Sequence, residues 1–280
     1  MKKRKLEKTI HTNLSRDDDY TGYLRLDQLL EAQTPLSDPP HHDEMLFIIQ
    51  HQVAELWIKL VIHEIGASIR HLRADELPQA VKNLARVRHV QSQLYNQWKV
   101  LDTLTPAEYS EFRRVFGKAS GFQSAQYRIL EFTLGNKSRS TMPVYEHQPD
   151  WYARLTLALE SPSLYEEFLM HLKRRGMAIP ERAIARDFAE VREEDEEVIA
   201  VLKVIYENRA EYWSRYEMCE TLMDIANNFH FWRFHHMKTV ERIIGHKRGS
   251  GGSSGVSFLK KALDIEFFPD LMRVRTQIGE

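Results

Sequence analysis

Residues 211–244 read EYWSRYEMCETLMDIANNFHFWRFHHMKTVERII, a stretch with neither glycine nor proline. At a rise of 1.5 Å per residue it predicts one uninterrupted helix about 50 Å long, enough to span a domain. Within it Phe229, Trp232, Arg233, His236, Val240 and Ile243 recur at three- and four-residue spacing and share one side, while His235 points roughly 100° away. The fold class follows from finding the same periodicity on either side.

Upstream, from Asp43 to Arg73, Ile49, Val53, Leu56 and Leu60 form one apolar stripe and Phe47, Ile58, Ile62, Ile65 and Ile69 another. A helix apolar on two sides belongs at the centre of a bundle. Leu77, Val81, Leu84, Val87, Leu94, Trp98 and Leu101 make a second amphipathic run, and Thr105, Pro106 and Glu108 spell a capping box with proline at the first helical position. Ser163 and Glu166 repeat that spacing, Gly176 is a stop, and the acidic stretch from Val191 to Tyr206 reads as a surface helix. Glycine and proline together make about 8% of the chain against a usual share of roughly 12%, and five of the twelve glycines crowd between Gly245 and Gly255. Alternating apolar and polar residues bounded by turns are hard to find. The reading is an all-α bundle with long central helices, one domain over 1–280, with an N-terminal arm over 1–19 and a Gly/Ser-rich loop over 245–257.

The 39 Lys and Arg balance 40 Asp and Glu, which argues against a basic nucleic-acid surface. Cys219 is alone, so thiolate zinc, iron–sulfur and covalent haem attachment are excluded and a reducing, cytoplasmic home is expected. MKKRKLEKTI leads into polar sequence rather than an apolar core, unlike a secretory signal, and no later span is expected to cross a bilayer.

Thirteen histidines invite a metal, yet there is no His-Glu-x-x-His and no Glu-x-x-His, so helix-borne protease and di-iron sites are disfavoured. A haem needs one helical histidine, and His236, in its apolar stripe, is the better candidate than His235. His51 sits in EMLFIIQHQ on the first central helix, on the side of Phe47 and Ile58. Taken alone, either histidine reads as a core residue, and the pair is what a haem pocket needs. Arg113, one turn after Tyr109 in EYSEFRR, can grip a carboxylate or form a surface ion pair. KRGSGGSSG fails both phosphate-loop patterns, lacking Gly-Lys-Ser/Thr and carrying Ser254 at the last glycine of GxGxxG, which leaves a lid with the Ser250 hydroxyl or a plain linker.

Taken in order, EMLFIIQHQ, EYSEFRR, SGFQSAQYR, FWRFHHMKTVERIIG and KRGSGGSSG resemble the tryptophan 2,3-dioxygenase family from about Tyr20 to the C-terminus. The resemblance implies a homotetramer with one haem b per subunit that opens the indole C2–C3 bond of L-tryptophan with dioxygen to give N-formylkynurenine. It places His236 as the axial iron ligand and His51 beside the indole N–H as the catalytic histidine. Phe47, Ile48, Ile49 and Gln50 then line the substrate, Tyr109 and Arg113 contact it with Arg113 on the carboxylate, and Ser250 stands where the family usually has threonine. Tyr20, Tyr23 and Leu24 match a segment that closes a neighbouring subunit's site. A haem-binding sensor or carrier, and a dioxygenase for a related indole, are the alternatives that share these residues in part.

Overall fold

The computed structural model describes residues 5–16 and 18–279, and among them there is no strand. In chain order the α-helices are α1 (Tyr20–Leu24), α2 (Leu26–Leu29), α3 (His42–Arg73), α4 (Leu77–Asn96), α5 (Trp98–Leu101), α6 (Pro106–Phe112), α7 (Ala125–Leu134), α8 (Pro149–Glu160), α9 (Leu164–Arg174), α10 (Glu196–Glu207), α11 (Trp213–Ile244), α12 (Val256–Lys261) and α13 (Pro269–Val274). Of the expected arm, positions 1–4 and 17 lie outside the described residues.

Both long helices form as their periodicity predicts, each 32 residues. α4 lies between them: α3 and α11 pack on it, and the shorter α5 and α6 touch both long helices. α5 and α6 thereby bridge α3 and α11. Further along, α3 is backed by α7 and α9, and α10 packs on α13. The main core draws Ile58, Val61 and Ile65 from α3, Leu84 and Val87 from α4, Phe168 and Leu169 from α9 and Leu222 and Ile225 from α11.

Both capping boxes form. The Thr105 hydroxyl accepts from the Glu108 N–H while the Glu108 carboxylate accepts from the Thr105 N–H at 2.8 Å, and Ser163 and Glu166 repeat the exchange. Gly176 follows α9 at φ +86°, which a side chain would disfavour.

Four expectations need correction. The run from Leu77 to Leu101 breaks at Gln97, so Trp98 and Leu101 belong to a separate turn, α5. The acidic helix starts at Glu196, where the Asp195 carboxylate accepts from the N–H groups of Glu197 and Val198, and it is no mere surface helix: Val198, Ile199, Leu202 and Ile205 are buried. The Gly/Ser loop ends at Gly255, because residues 256 and 257 open α12. By length and composition α3 could cross a bilayer, contrary to expectation. One side of it supplies the core, and the other leaves Met45, Ile49, Val53 and Leu56 exposed on the single chain.

Candidate active site

His51 and Phe47 lie four residues apart on α3, so one helical turn brings their rings together, at 4.2 Å between centroids. The His51 Nδ1–H donates to the Phe47 carbonyl at 2.7 Å. A carbonyl only accepts, so this bond fixes the neutral tautomer with Nε2 as a free acceptor. Burial lowers the His51 pKa, partly opposed by that carbonyl and by the Glu55 charge, and keeps the ring neutral.

Around these two rings gather Tyr109, Phe112 and Phe116. Phe116 stacks on Phe47 at 5.2 Å with only 4° between planes, and Tyr109 and Phe112 stand 5.9 Å from it. α6 delivers Tyr109 and Phe112, and the turn after it delivers Arg113 and Phe116. Burial raises the Tyr109 pKa, partly opposed by the adjacent Arg113 guanidinium.

α11 brings His236 to the other side. Its ring lies flat on Trp98, 4.8 Å between centroids and 10° between planes, with Trp232 at 5.8 Å. Burial pushes the His236 pKa down to about 4, and proximity to His51 pushes the same way. The two imidazoles therefore feel one another across the space between the long helices, and both are neutral at pH 7. Among the described residues neither His236 nitrogen has a hydrogen-bond partner, whereas His235 Nε2 donates to Asp102 at 3.0 Å. The indole N–H groups of Trp98 and Trp232 are buried without a protein acceptor. Buried donors left open are uncommon, and Arg128 Nε and Arg192 Nη2 are the cationic examples among the described residues. His236 thus has the free lone pair that a metal requires, and no group of three or more His, Cys, Asp or Glu that could hold a bare ion occurs among the described residues. A single imidazole suits a metal whose other ligands arrive with a cofactor.

At the rim, Arg113 donates to the Arg248 carbonyl and the Ser250 hydroxyl donates to the Ala119 carbonyl at 2.6 Å, so the Gly/Ser loop is tied to the turn that follows α6. Two glycines make this closure possible. A Cβ on Gly251 would sit 2.7 Å from that of Ser120, and one on Gly255, at φ +65°, would sit 2.5 Å from the Lys247 carbonyl oxygen.

The structure thus groups Phe47, His51, Tyr109, Arg113, Ser250 and His236 around one space. Ile48 is partly buried, Gln50 is buried, and Ile49 is exposed on the far side of α3. Tyr20 and Tyr23 are 73% and 84% exposed on α1, and Leu24 is exposed as well, so within one chain they stand apart from the site. By its spacing Trp98 belongs to an apolar core run, and neither Phe116 nor Asp102 stands in a motif. Phe116 carried a signal, its three-residue spacing from Arg113, but the partners of Trp98 and Asp102 lie more than a hundred positions away.

The family model of tryptophan 2,3-dioxygenase matches residues 6–175 and 194–278. The tryptophan 2,3-dioxygenase of Serratia proteamaculans (strain 568) is 53% identical over 279 residues, covering 100% of both chains. That of Arthrobacter sp. (strain FB24) is 53% identical over 277 residues, covering 99% of this chain and 98% of its own. That of Xanthomonas euvesicatoria pv. vesicatoria (strain 85-10) is 56% identical over 276 residues, covering 99% of this chain and 93% of its own. With the match running almost end to end and embracing every helix that builds the site, the chain belongs to the tryptophan 2,3-dioxygenase family.

Proposed function

We propose that this protein joins L-tryptophan and dioxygen to give N-formylkynurenine, both oxygen atoms ending in the product, with haem b bound at His236. The observation that carries the reading is the pair of neutral imidazoles that α3 and α11 bring near enough to influence one another, one with both nitrogens unpaired and the other with Nε2 free to accept. The unpaired indole N–H groups beside His236 and the lack, among the described residues, of any group of three or more His, Cys, Asp or Glu fit a flat cofactor that brings its own donors. When bound, the haem supplies the iron at which dioxygen is activated.

The chain's own residues bind and orient the amino acid. His51 Nε2 accepts the indole N–H, and its lowered pKa argues against a role as the base. Phe47 and Phe116 present aromatic faces to the indole ring. Arg113 uses one of its five N–H donors on the Arg248 carbonyl, which leaves others for the substrate carboxylate. The Ser250 hydroxyl donates its proton to the Ala119 carbonyl while its oxygen keeps lone pairs for the ammonium group, so serine serves where the family usually has threonine. Three fixed points on a small rigid molecule make orientation the main protein contribution.

The working unit is proposed to be a cytoplasmic homotetramer. The exposed Tyr20, Tyr23 and Leu24, and the exposed stripe of Met45, Ile49, Val53 and Leu56 on α3, support burial against further copies, with the N-terminal segment completing a neighbour's site. The deciding experiment is anaerobic reduction of the haem-loaded protein followed by L-tryptophan and air. N-formylkynurenine in many equivalents without added reductant supports the reading, and bound haem with no product rejects it.

A further inference from the structure

Metal-binding histidines are ordinarily held in plane by a hydrogen bond from the second ring nitrogen to a carboxylate, a carbonyl or water. His236 has no such bond to the protein among the described residues, and rotation of an imidazole about Cβ–Cγ is soft. A carboxylate does lie close by, that of Asp102, but it serves the neighbours: it accepts from His235 Nε2 at 3.0 Å and from the Thr239 hydroxyl at 2.6 Å. What meets the His236 ring is Trp98, flat on it, with Trp232 inclined at 38°. Trp98 and Asp102 stand four residues apart on and just after the single turn α5. Trp98 is buried beside Leu101, Leu104, Phe112 and Ile243, so it cannot swing away from the ring it covers.

We infer that Trp98 and Asp102 form a two-part clamp that orients the axial histidine, Trp98 setting the plane of the His236 ring by stacking and Asp102 fixing the rotation of α11 through His235 and Thr239. Both are positioning residues. The clamp rests on the proposal that His236 binds haem iron, and it deepens it. Because the ring donates to no carboxylate, it coordinates as a neutral imidazole, without the added basicity that a carboxylate partner confers.

The test uses the reduced, haem-loaded holoprotein and reads three quantities besides turnover: haem per chain, the rate of haem transfer to excess apomyoglobin, and the iron–histidine stretching band in the Raman spectrum. Trp98→Leu is expected to shift or broaden that band and to speed haem release by about tenfold, the scale on which outer-shell partners act. Trp98→Phe, which keeps a ring on the imidazole, is expected to restore both. A Trp98→Leu protein with an unchanged band and unchanged release overturns the stacking role. Should Trp98→Leu fail to accumulate, Asp102→Asn combined with Thr239→Val reads the same band, and an unshifted one overturns the clamp. The underlying assignment fails separately: it is lost if His236→Ala keeps a normal iron–histidine band, whatever the Trp98 variants do.

Discussion

The two halves of α11 are built from one continuous helix and do opposite things. In the N-terminal half, Met218, Cys219, Leu222 and Ile225 are sealed in the core, and the polar groups around them are matched: Glu220 accepts from Tyr206 and Arg275, Asp224 pairs with Arg88, and Gln91 donates to the Ile225 carbonyl at 3.1 Å. In the C-terminal half, Trp232 Nε1 and His235 Nδ1 are buried without a partner among the described residues, and His236 makes no hydrogen bond there either. The first half is finished by the chain, whereas the second keeps polar groups open, as the proposed haem site requires. The difference teaches that open hydrogen-bonding groups, more than apolar pattern, separate a site from a core when both are carried by one amphipathic helix. Arg233 marks the border. It is buried, donates to Glu131 at 2.6 Å, to the Tyr127 hydroxyl at 3.2 Å and to the Ala262 carbonyl at 3.1 Å, and so pins the helix where its role changes.

Paired substitutions break this contrast most sharply. His236→Ala is expected to abolish haem binding and turnover while leaving the apoprotein's thermal melt little changed, whereas Leu222→Ala is expected to lower stability by about 2–5 kcal/mol and to leave the haem spectrum of the folded fraction intact. Absorbance per chain and denaturant titration separate the two, and a destabilised apoprotein in the first case would erase the distinction. At the border, Glu131→Gln leaves Arg233 buried without its counter-charge and is expected to cost about 3–5 kcal/mol by denaturant titration. A loss under about 1 kcal/mol would show that Tyr127 and Ala262 suffice to hold the guanidinium.

Smaller effects sharpen the same contrast. Arg113→Ala is expected to weaken tryptophan binding by on the order of 2 kcal/mol, as for hydrogen bonds to charged groups, with no loss of haem. Titration of the haem spectrum with tryptophan measures it, and an unchanged constant removes Arg113 from the carboxylate. Acid should act on the open half first. The unfolded chain takes up a proton on His236 below pH 6.5 and the folded chain resists to about 4, so in that window the unfolded state holds more protons and apoprotein stability falls as pH falls. His51 is shifted in the same direction. Because the His236 ring is half-buried rather than sealed, a contribution on the order of 2 kcal/mol is expected. The slope of apoprotein Tm between pH 6.5 and 4 should be shallower in His236→Ala, and equal slopes would refute the assignment.

Much of this was legible in the chain as written. The long helix of residues 211–244, the central helix after Asp43, both capping boxes and the different sides taken by His236 and His235 rest on spacings of three and four, which are local and survive in any fold. What failed to show was of two kinds. The break at Gln97 and the late start of α10 at Glu196 turn on single boundary residues inside runs whose periodicity hardly changes. The stacking of Trp98 on His236, the service of Asp102 to His235 and Thr239, and the burial of Arg233 against Glu131 join positions more than a hundred residues apart.

By itself, then, the sequence determined the helices, their apolar faces and the residue types able to bind an iron, a ring and a carboxylate, because those depend on neighbours within one or two turns. Only the tertiary structure decided that α3 and α11 meet around one space, and that the indole N–H groups of Trp98 and Trp232 stay unpaired. Helix periodicity says which side of a helix is buried and never against what, and the partner is selected by packing over the whole chain.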